Sequence, residues 1–345
     1  MSGIDLSIII VNWHSANYVL KCVHSIREQA SVASYEVIVV DNASFDGCGE
    51  RLAQEYPWVV FLQSQRNLGF AGANNLGAKC AHGAVLLFLN PDTEVLDGAI
   101  DCMYRHFQSL EEPGVVGCRL LNSDGSLQTS CVQSLPTLLN QVLDAEVLRR
   151  LFPRAKIFGT AALFEQRNGV KEVEGVSGAC MMIRRDIFDL VGGFSADYFM
   201  YGEDLDLCFK TKQAGFYNYH VGEAVIVHHG GGSSKLTQSK FSTVMVRESV
   251  ALFLRKSHGT LYCTCYKLAL TGTAILRLVL LATAFPAWFV GRRQKALAEA
   301  FWKWVTILRW GIGLEGWTRQ YEQVDHCAAY SDGDVEKSCA ESAEN

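Results

Sequence analysis

The N-terminal third of the chain alternates between short apolar runs and longer amphipathic stretches. The apolar runs are "LSIIIVNW", "YEVIVVDN", "WVVFLQSQ" and "AVLLFLNPDTEV", and a helix-length stretch separates each run from the next. This order is typical of βαβ units, in which helices connect parallel strands. Because the runs are continuously hydrophobic, we predict an α/β fold: a mainly parallel sheet with helices on both faces.

Each predicted strand ends in polar or glycine-rich sequence. The strand-end positions are Asn12, Asp41, Asn67, Asn90 and Asp92. In open α/β sheets, ligands bind in the crevice at the carboxyl ends of the strands. We therefore expect these side chains to surround a ligand.

The pattern changes further along the chain. Loops and short helices are mixed from about 120 to 173, and "SGACMMIRRDIF", "YGEDLDLCFK" and "AVIVHHGGGSS" follow. We predict an α/β domain over residues 1–256, a membrane-associated apolar helical region over 257–320, and an acidic, disordered tail over 321–345.

Residues 268–290 are apolar enough to cross a bilayer. Arg277 lies in the middle of this stretch and Pro286 near its end, and basic residues flank both sides, so no inside–outside asymmetry is present. We favour a helix or helical hairpin on the cytoplasmic leaflet, and the Trp-rich "FWKWVTILRW" supports an interfacial location. A true span and a soluble core helix are the alternatives.

The composition limits which binding partners and which cellular compartment we expect. The net charge of -5 is not gathered into a basic stripe, which argues against nucleic-acid binding. The N-terminus lacks the basic region and long apolar core of a signal peptide. The 12 cysteines are scattered without zinc-site spacing, and we expect mostly buried thiols in a reducing compartment. A cytoplasmic protein, peripheral or anchored at the membrane, is predicted.

Two of the strand ends admit a structural and a functional interpretation. Asp41, in "VVDNASFDG", either caps the following helix through an Asx turn or accepts the imide N–H of a pyrimidine base. "RNLGFAGANNLG", with Asn67, Gly69 and Asn75, either permits close packing or brings amides near a diphosphate. This stretch lacks the P-loop lysine and the dinucleotide fingerprint.

The "NPDTE" corner points to a metal site. Pro91 fixes φ and interrupts strand pairing, so Asp92 is presented at the rim of the sheet. A carboxylate there is suited to Mg²⁺ or Mn²⁺, with substrate phosphates completing the coordination. The alternative is a solvated turn, with Asp92 as a helix N-cap and Glu94 in the first turn.

The later block supplies candidates for proton transfer and metal binding. Glu203, Asp204 and Asp206 open an amphipathic helix, where acids complement the helix dipole. Apolar neighbours such as Phe199 would also raise the pKa of one carboxyl and make it a general base. His228 precedes a run of glycines and is predicted to contact metal or substrate, and imidazole favours Mn²⁺ over Mg²⁺.

The motifs in this order resemble the inverting family-2 glycosyltransferases, particularly their rhamnosyltransferase-like branch. The resemblance covers about residues 5–256 and rests on "SIIIVNW", "VVDNASFDG", "NLGFAGANN", "LFLNPDTE", "SGACMMIRRDIFDLVGGF", "YGEDLDLCFK" and "VHHGGGSS". It implies a GT-A nucleotide-diphospho-sugar transferase fold, a dTDP- or UDP-linked sugar donor and a Mn²⁺ or Mg²⁺ cofactor. With the apolar C-terminal region, it implies a lipid-linked or polysaccharide acceptor at the inner face of the cytoplasmic membrane.

The resemblance also implies residue roles. Asp204, next to Glu203, would be the general base, Asp92 would be the metal-binding acid of the Asp-X-Asp site, and His228 or its neighbour would be a ligand near the diphosphate. Asn90 occupies the first position of the Asp-X-Asp site, a departure that weakens the expected metal binding. The donor would contact a further set of residues: Asn12, Asp41, Asn67, Gly69, Asn75 and Asn90.

Two alternatives share this fold. A nucleotide-sugar-binding protein without catalysis is suggested by Asn90, although the intact Glu203–Asp204 pair argues against it. A sugar nucleotidyltransferase requires a basic glycine-rich loop after the first strand, where "VNWHSANY" stands instead.

Overall fold

The structure is a computed structural model that describes most of the chain. The described residues are 3–31, 34–152, 155–162, 168–230, 240–283 and 294–318. The predicted tail over 321–345 and Pro286 therefore lie outside the described residues, as do Gly231 and Gly232.

Eleven strands occur in the described ranges. They are β1 (Leu6–Asn12), β2 (Tyr35–Asn42), β3 (Val60–Ser64), β4 (Val85–Leu89), β5 (Thr93–Val95), β6 (Pro113–Leu121), β7 (Val132–Gln133), β8 (Val170–Val173), β9 (Gly175–Val176), β10 (Cys180–Arg184) and β11 (Tyr217–His228).

Eleven α-helices accompany them. They are α1 (Ala16–Gln29), α2 (Cys48–Glu55), α3 (Gly69–Cys80), α4 (Ala99–Ser109), α5 (Leu138–Val142), α6 (Glu146–Leu151), α7 (Arg185–Leu190), α8 (Glu203–Gln213), α9 (Lys240–His258), α10 (Thr260–Thr283) and α11 (Gln294–Gly311).

The main sheet has the strand order β3-β2-β1-β4-β10-β6-β11-β5, and β8 pairs with β11. Strands β1 to β4 pair in parallel, as do β6 and β11, whereas β10 is antiparallel to both of its neighbours. The predicted α/β class is therefore confirmed, with antiparallel β10 inserted between the two parallel parts. A separate antiparallel pair is formed by β7 and β9.

The sheet is covered on both faces, as predicted. Alternate residues of β1 enter different apolar clusters: Ile8 and Ile10 pack on one face, Ile9 and Val11 on the other. Helices α1, α2 and α4 cover the first face, and α3, α7 and α8 cover the second. Burial on both faces explains why the strand sequences are continuously apolar.

The last three helices form their own apolar cluster. Side chains from α9, α10 and α11 pack together around Phe253, Tyr266 and Trp310. Phe209 of α8 contacts Phe253 edge-on, with ring centroids 5.3 Å apart, so the cluster rests against the sheet domain. The domain boundary at residue 256 stays a prediction.

The cysteines are mostly buried thiols in the part of the chain that the structure describes. Nine are free, and seven of these are buried. Cys80 is disulfide-bonded.

Candidate active site

The corner after β4 lies against the end of β11. Strand β5 pairs antiparallel with β11, so that Thr93 lies opposite His228. His228 Nε2 is 3.2 Å from Asp92 Oδ1 and 3.2 Å from Asn90 Nδ2. This strand pairing brings together the two ends of the predicted metal site, which are 138 positions apart in the chain.

Gln128 fixes the imidazole of His228. Its Oε1 lies 2.8 Å from His228 Nδ1, while its Nε2 donates to Asn122 Oδ1 at 3.3 Å. Because an amide oxygen only accepts hydrogen bonds, Nδ1 donates to Gln128, and Nε2 is the ring nitrogen that faces Asp92 and Asn90. A partner that sets the tautomer in this way is typical of histidines that bind metals. Gln128 was not among the predicted site residues, because it lies in the weakly patterned region and matches no motif.

The other histidine of the pair faces elsewhere. His229 Nδ1 lies 2.9 Å from Ser123 Oγ, and its Nε2 lies 3.5 Å from Glu94 Oε2. Of the two histidines, His228 therefore faces the Asn90–Asp92 corner.

The atoms at this corner fit a divalent cation. Asn90 Oδ1 is buried and has no hydrogen-bond partner among the residues that the structure describes. A buried oxygen without a partner lowers the stability of the fold unless a ligand binds to it. Asp92 is buried, with 7% of its surface exposed. An amide oxygen, a carboxylate oxygen and an imidazole nitrogen form a mixed donor set suited to Mn²⁺. Asn90 would contribute an oxygen ligand without the charge of an aspartate.

The predicted base lies at the start of α8. Asp204 is half-buried, and its Oδ2 accepts the Gly178 N–H at 3.0 Å while Oδ1 accepts the Leu205 N–H at 2.8 Å. Burial raises the pKa of Asp204, and the amide hydrogen bonds partly oppose this rise. A carboxylate that is held in place and made more basic is suited to proton abstraction.

Glu203 and Asp206, the other two acids at the start of α8, have different surroundings from Asp204. Burial, followed by the charge of Asp204, raises the pKa of Glu203 to about 8, so Glu203 is mostly protonated at neutral pH. Its Oε2 is buried with no hydrogen-bond partner in the described ranges. Asp206 accepts hydrogen bonds from Ser195 Oγ at 2.5 Å and from Tyr198 Oη at 3.2 Å, which gives it a structural role.

One turn connects Asp204 to the Asn90–Asp92 corner. Between β9 and β10, the Gly178 N–H binds Asp204, and the carbonyl of the next residue, Ala179, accepts the Asn90 N–H at 3.0 Å. A Cβ on Gly178 would lie 3.4 Å from Cβ of Asp204, so the backbone approaches the acid closely. The predicted base and the predicted metal ligands are therefore neighbours at one edge of the sheet.

Asp41 is surrounded by hydrogen-bond donors. Asn12 Nδ2 donates to Oδ1 at 2.7 Å, while Oδ2 accepts from Gln63 Nε2 at 2.6 Å and from the amides of Ser44 and Phe45, each at 3.1 Å. These bonds hold the turn after β2, but Asp41 does not cap the following helix, because the N-cap of α2 is Gly47 and no side chain caps it. Oδ1 has remaining acceptor capacity. Contacts of Asn12 and Asp41 with a pyrimidine base stay a prediction.

The glycine-rich stretch at the start of α3 also carries structural contacts. Asn67 Oδ1 accepts the Gly69 N–H at 2.9 Å, and Gly69 has a φ of 69° with its missing Cβ position 2.5 Å from the Phe199 carbonyl oxygen. Asn75 binds the backbone of Phe194 twice, donating at 2.8 Å and accepting at 3.0 Å. These residues hold two loops against α3, and their contact with a diphosphate stays a prediction.

Comparisons with known proteins identify the family of this chain. The model of glycosyl transferase family 2 matches residues 7–192. An N-acetylglucosaminyl-diphospho-decaprenol L-rhamnosyltransferase of Mycobacterium tuberculosis (strain CDC 1551 / Oshkosh) is 30% identical over 254 residues, which cover 70% of this chain and 81% of the relative. Rhamnosyltransferase WbbL of Escherichia coli (strain K12) is 24% identical over 242 residues, covering 68% and 86%.

A solved structure supports the fold. A mannosyltransferase from Pyrobaculum calidifontis, in complex with GDP-Man and Mn²⁺, aligns with a TM-score of 0.55 at 17% identity, covering 96% of this chain and 89% of that one. The family match spans more than half of the chain, and the mycobacterial relative aligns over most of its own length. This chain is therefore a glycosyltransferase of family 2 with a GT-A fold.

Proposed function

We propose that the enzyme is an inverting transferase that moves rhamnose from dTDP-rhamnose, or a sugar from a UDP-sugar, to a lipid-linked or polysaccharide acceptor. The observation that carries this proposal is the turn that binds Asp204 through Gly178 and Asn90 through Ala179. The mycobacterial relative, which is named for rhamnosyl transfer to a diphospho-decaprenol carrier, supports the sugar and the acceptor class.

Three side chains would hold the cation that the fold family implies. They are Asn90 through its unpartnered Oδ1, Asp92 through its carboxylate, and His228 through Nε2. When bound, Mn²⁺ or Mg²⁺ supplies positive charge that stabilises the departing diphosphate. Gln128 holds the His228 ring so that Nε2 faces this position.

Asp204 removes the proton from the acceptor hydroxyl. The acceptor oxygen then bonds to the anomeric carbon, and the bond from that carbon to the diphosphate oxygen breaks on the opposite face, so the configuration inverts. A positioned base of this kind accelerates reactions by about 10²–10⁴-fold. Because Glu203 stays protonated near neutral pH, the pair carries a single negative charge that resides on Asp204.

The test compares Asp204→Asn with Asp189→Asn, an exposed acid of α7. Release of nucleotide diphosphate is measured over many turnovers with dTDP-, UDP- and GDP-sugars, with and without Mn²⁺. We expect Asp204→Asn to lower transfer by at least about 10²-fold while donor affinity is retained, and Asp189→Asn to match the wild type. Full activity of Asp204→Asn would refute the base assignment. Donor binding by the wild type without turnover would instead favour the inactive binding protein.

We also propose that the enzyme works at the cytoplasmic face of the membrane. By length and composition, α10 is able to cross a membrane, with a mean hydropathy of 1.5 over its most apolar window, of which 17% is buried. One side of α10 packs on α9 and α11 through Tyr266, Leu270 and Ala274. Because this side is occupied by protein, we favour a helix that lies on the leaflet over one that spans it.

A further inference from the structure

The segment made of residues 138–152 and 155–158, called the 138–158 segment, exposes apolar side chains on and after two short helices. Val147 is 69% exposed, Leu151 66% and Phe152 54%. The exposed large apolar residues of this segment are Leu139, Leu143, Val147, Leu151, Phe152 and Ile157. Contiguous exposed apolar surface of this kind marks a binding site for a protein or a membrane.

This segment is attached to α10 at two points. The Leu138 N–H donates to Tyr262 Oη at 2.9 Å, and Arg277 donates to the Asp144 carbonyl at 3.2 Å. The Arg277 guanidinium also lies over the Trp304 ring, 4.4 Å from its centroid. The arginine inside the apolar stretch therefore binds protein, so the apolar face of α10 can enter an apolar phase without carrying this charge into it.

The exposed face of α10 continues the apolar surface. Its exposed large apolar residues are Leu261, Leu268, Ile275, Leu276, Val279 and Leu280. Because Tyr262 and Arg277 lie near opposite ends of this face, the two attachments keep the 138–158 segment beside α10. Two elements far apart in the chain thus contribute to one surface.

Basic side chains border the surface. Arg150 of α6 is exposed. Lys156 is also exposed and pairs with Glu174, while Arg149 pairs with Asp144 at 3.2 Å. Exposed arginines beside apolar side chains are the combination by which interfacial helices bind anionic lipids.

We propose that the 138–158 segment and the exposed face of α10 together form a lipid-docking surface whose occupant is a bilayer leaflet with anionic headgroups. Only the role of this surface depends on the proposed function: the surface would bring a lipid-linked acceptor to Asp204. Strand β7, shortly before the segment, pairs with β9, and β9 leads directly into Gly178. A bilayer held by this surface is therefore connected by a short path to the turn that binds the base.

The test measures binding of the purified full-length chain to vesicles by flotation. Vesicles of phosphatidylcholine are compared with vesicles that also contain phosphatidylglycerol. We expect the triple variant Val147→Ser/Leu151→Ser/Phe152→Ser to bind at least about tenfold more weakly, because three apolar side chains no longer enter the lipid. Leu190→Ser, which changes a 68% exposed residue of α7, is the matched control and should bind like the wild type.

A second variant tests the charge. Arg150→Gln should weaken binding to the anionic vesicles about fivefold and leave binding to pure phosphatidylcholine unchanged. Because all substituted side chains are exposed, thermal unfolding should stay close to that of the wild type.

The proposal is overturned if the wild type does not float, or if the triple variant floats as well as the wild type does. It is also overturned if the triple variant converts a dimer into a monomer without changing vesicle binding, because the surface is then a contact between two copies. Transfer to a water-soluble acceptor separates the two proposals: its absence in the wild type refutes the proposed function, whereas flotation reports on docking alone.

Discussion

Replacing Glu203 with glutamine should change how the stability of the enzyme depends on pH. Glu203 is buried, its Oε2 has no hydrogen-bond partner within the described part of the chain, and its pKa is raised from 4.5 to about 8. The folded protein therefore holds a proton on this carboxyl at pH values where the unfolded chain has released it. Glutamine has nearly the same shape and does not titrate in this range.

The magnitude follows from the two pKa values. Below pH 4.5 both states are protonated, so the carboxyl has no effect; between 4.5 and about 8, stability falls by about 1.4 kcal/mol for each pH unit. The full difference corresponds to about 5 kcal/mol. Because Glu203 and Asp204 share one charge, we expect about half of this, 2–3 kcal/mol, to be lost by the wild type between pH 5 and pH 8.

Denaturant unfolding at a series of pH values measures this loss directly. Glu203→Gln should lose less stability than the wild type as the pH rises, and the gap between the two should stop growing above about pH 8. Glu172→Gln, at an exposed position of β8, is the matched control and should follow the wild type. Parallel curves for Glu203→Gln and the wild type would show that Glu203 is not a neutral buried acid.

Two further predictions concern residues around the site. Gln128→Leu removes the acceptor for His228 Nδ1, and we expect the affinity for Mn²⁺ to fall about 10–100-fold in calorimetric titrations; an unchanged affinity would remove Gln128 from the metal site. Gly69→Ala places a Cβ 2.5 Å from the Phe199 carbonyl oxygen in a left-handed conformation and should cost about 2–4 kcal/mol in the free energy of unfolding. Gly47→Ala shares the positive φ but meets no atom within 4 Å, so it should cost only about 1–2 kcal/mol, and equal losses would contradict the contact.

Local sequence was sufficient for the parallel part of the fold. Strands β1, β2 and β4 are buried on both faces over most of their length, so each contains a continuous apolar run, whereas the edge strand β3 is only partly buried. The position of β10 was not predictable in this way, because its antiparallel pairing with β4 depends on residues nearly one hundred positions away. The short helices of the 138–158 segment expose their apolar side chains, so they lack the pattern of a buried face.

The part of the candidate site that lies at strand ends could be predicted from the sequence. Asp92 follows a parallel strand, and His228 ends the strand that β5 joins, so their proximity follows from the sheet. Gln128 contacts the candidate site through its side-chain amide oxygen, and Ala179 contacts it through its backbone carbonyl. Neither residue type indicates such a contact in the sequence. Such contacts depend on the three-dimensional path of the chain, which a motif does not record.

The turn between β9 and β10 has a consequence for how specificity can vary in this enzyme. Consecutive Cα atoms are separated by a fixed distance of about 3.8 Å, and Gly178 and Ala179 attach the base and the metal corner to two such neighbours. Covalent geometry thus keeps the backbone contacts of Asp204 and Asn90 next to each other. Because Gly178 and Ala179 contribute backbone atoms, neither contact is lost when side chains in the loops after the other strands are substituted.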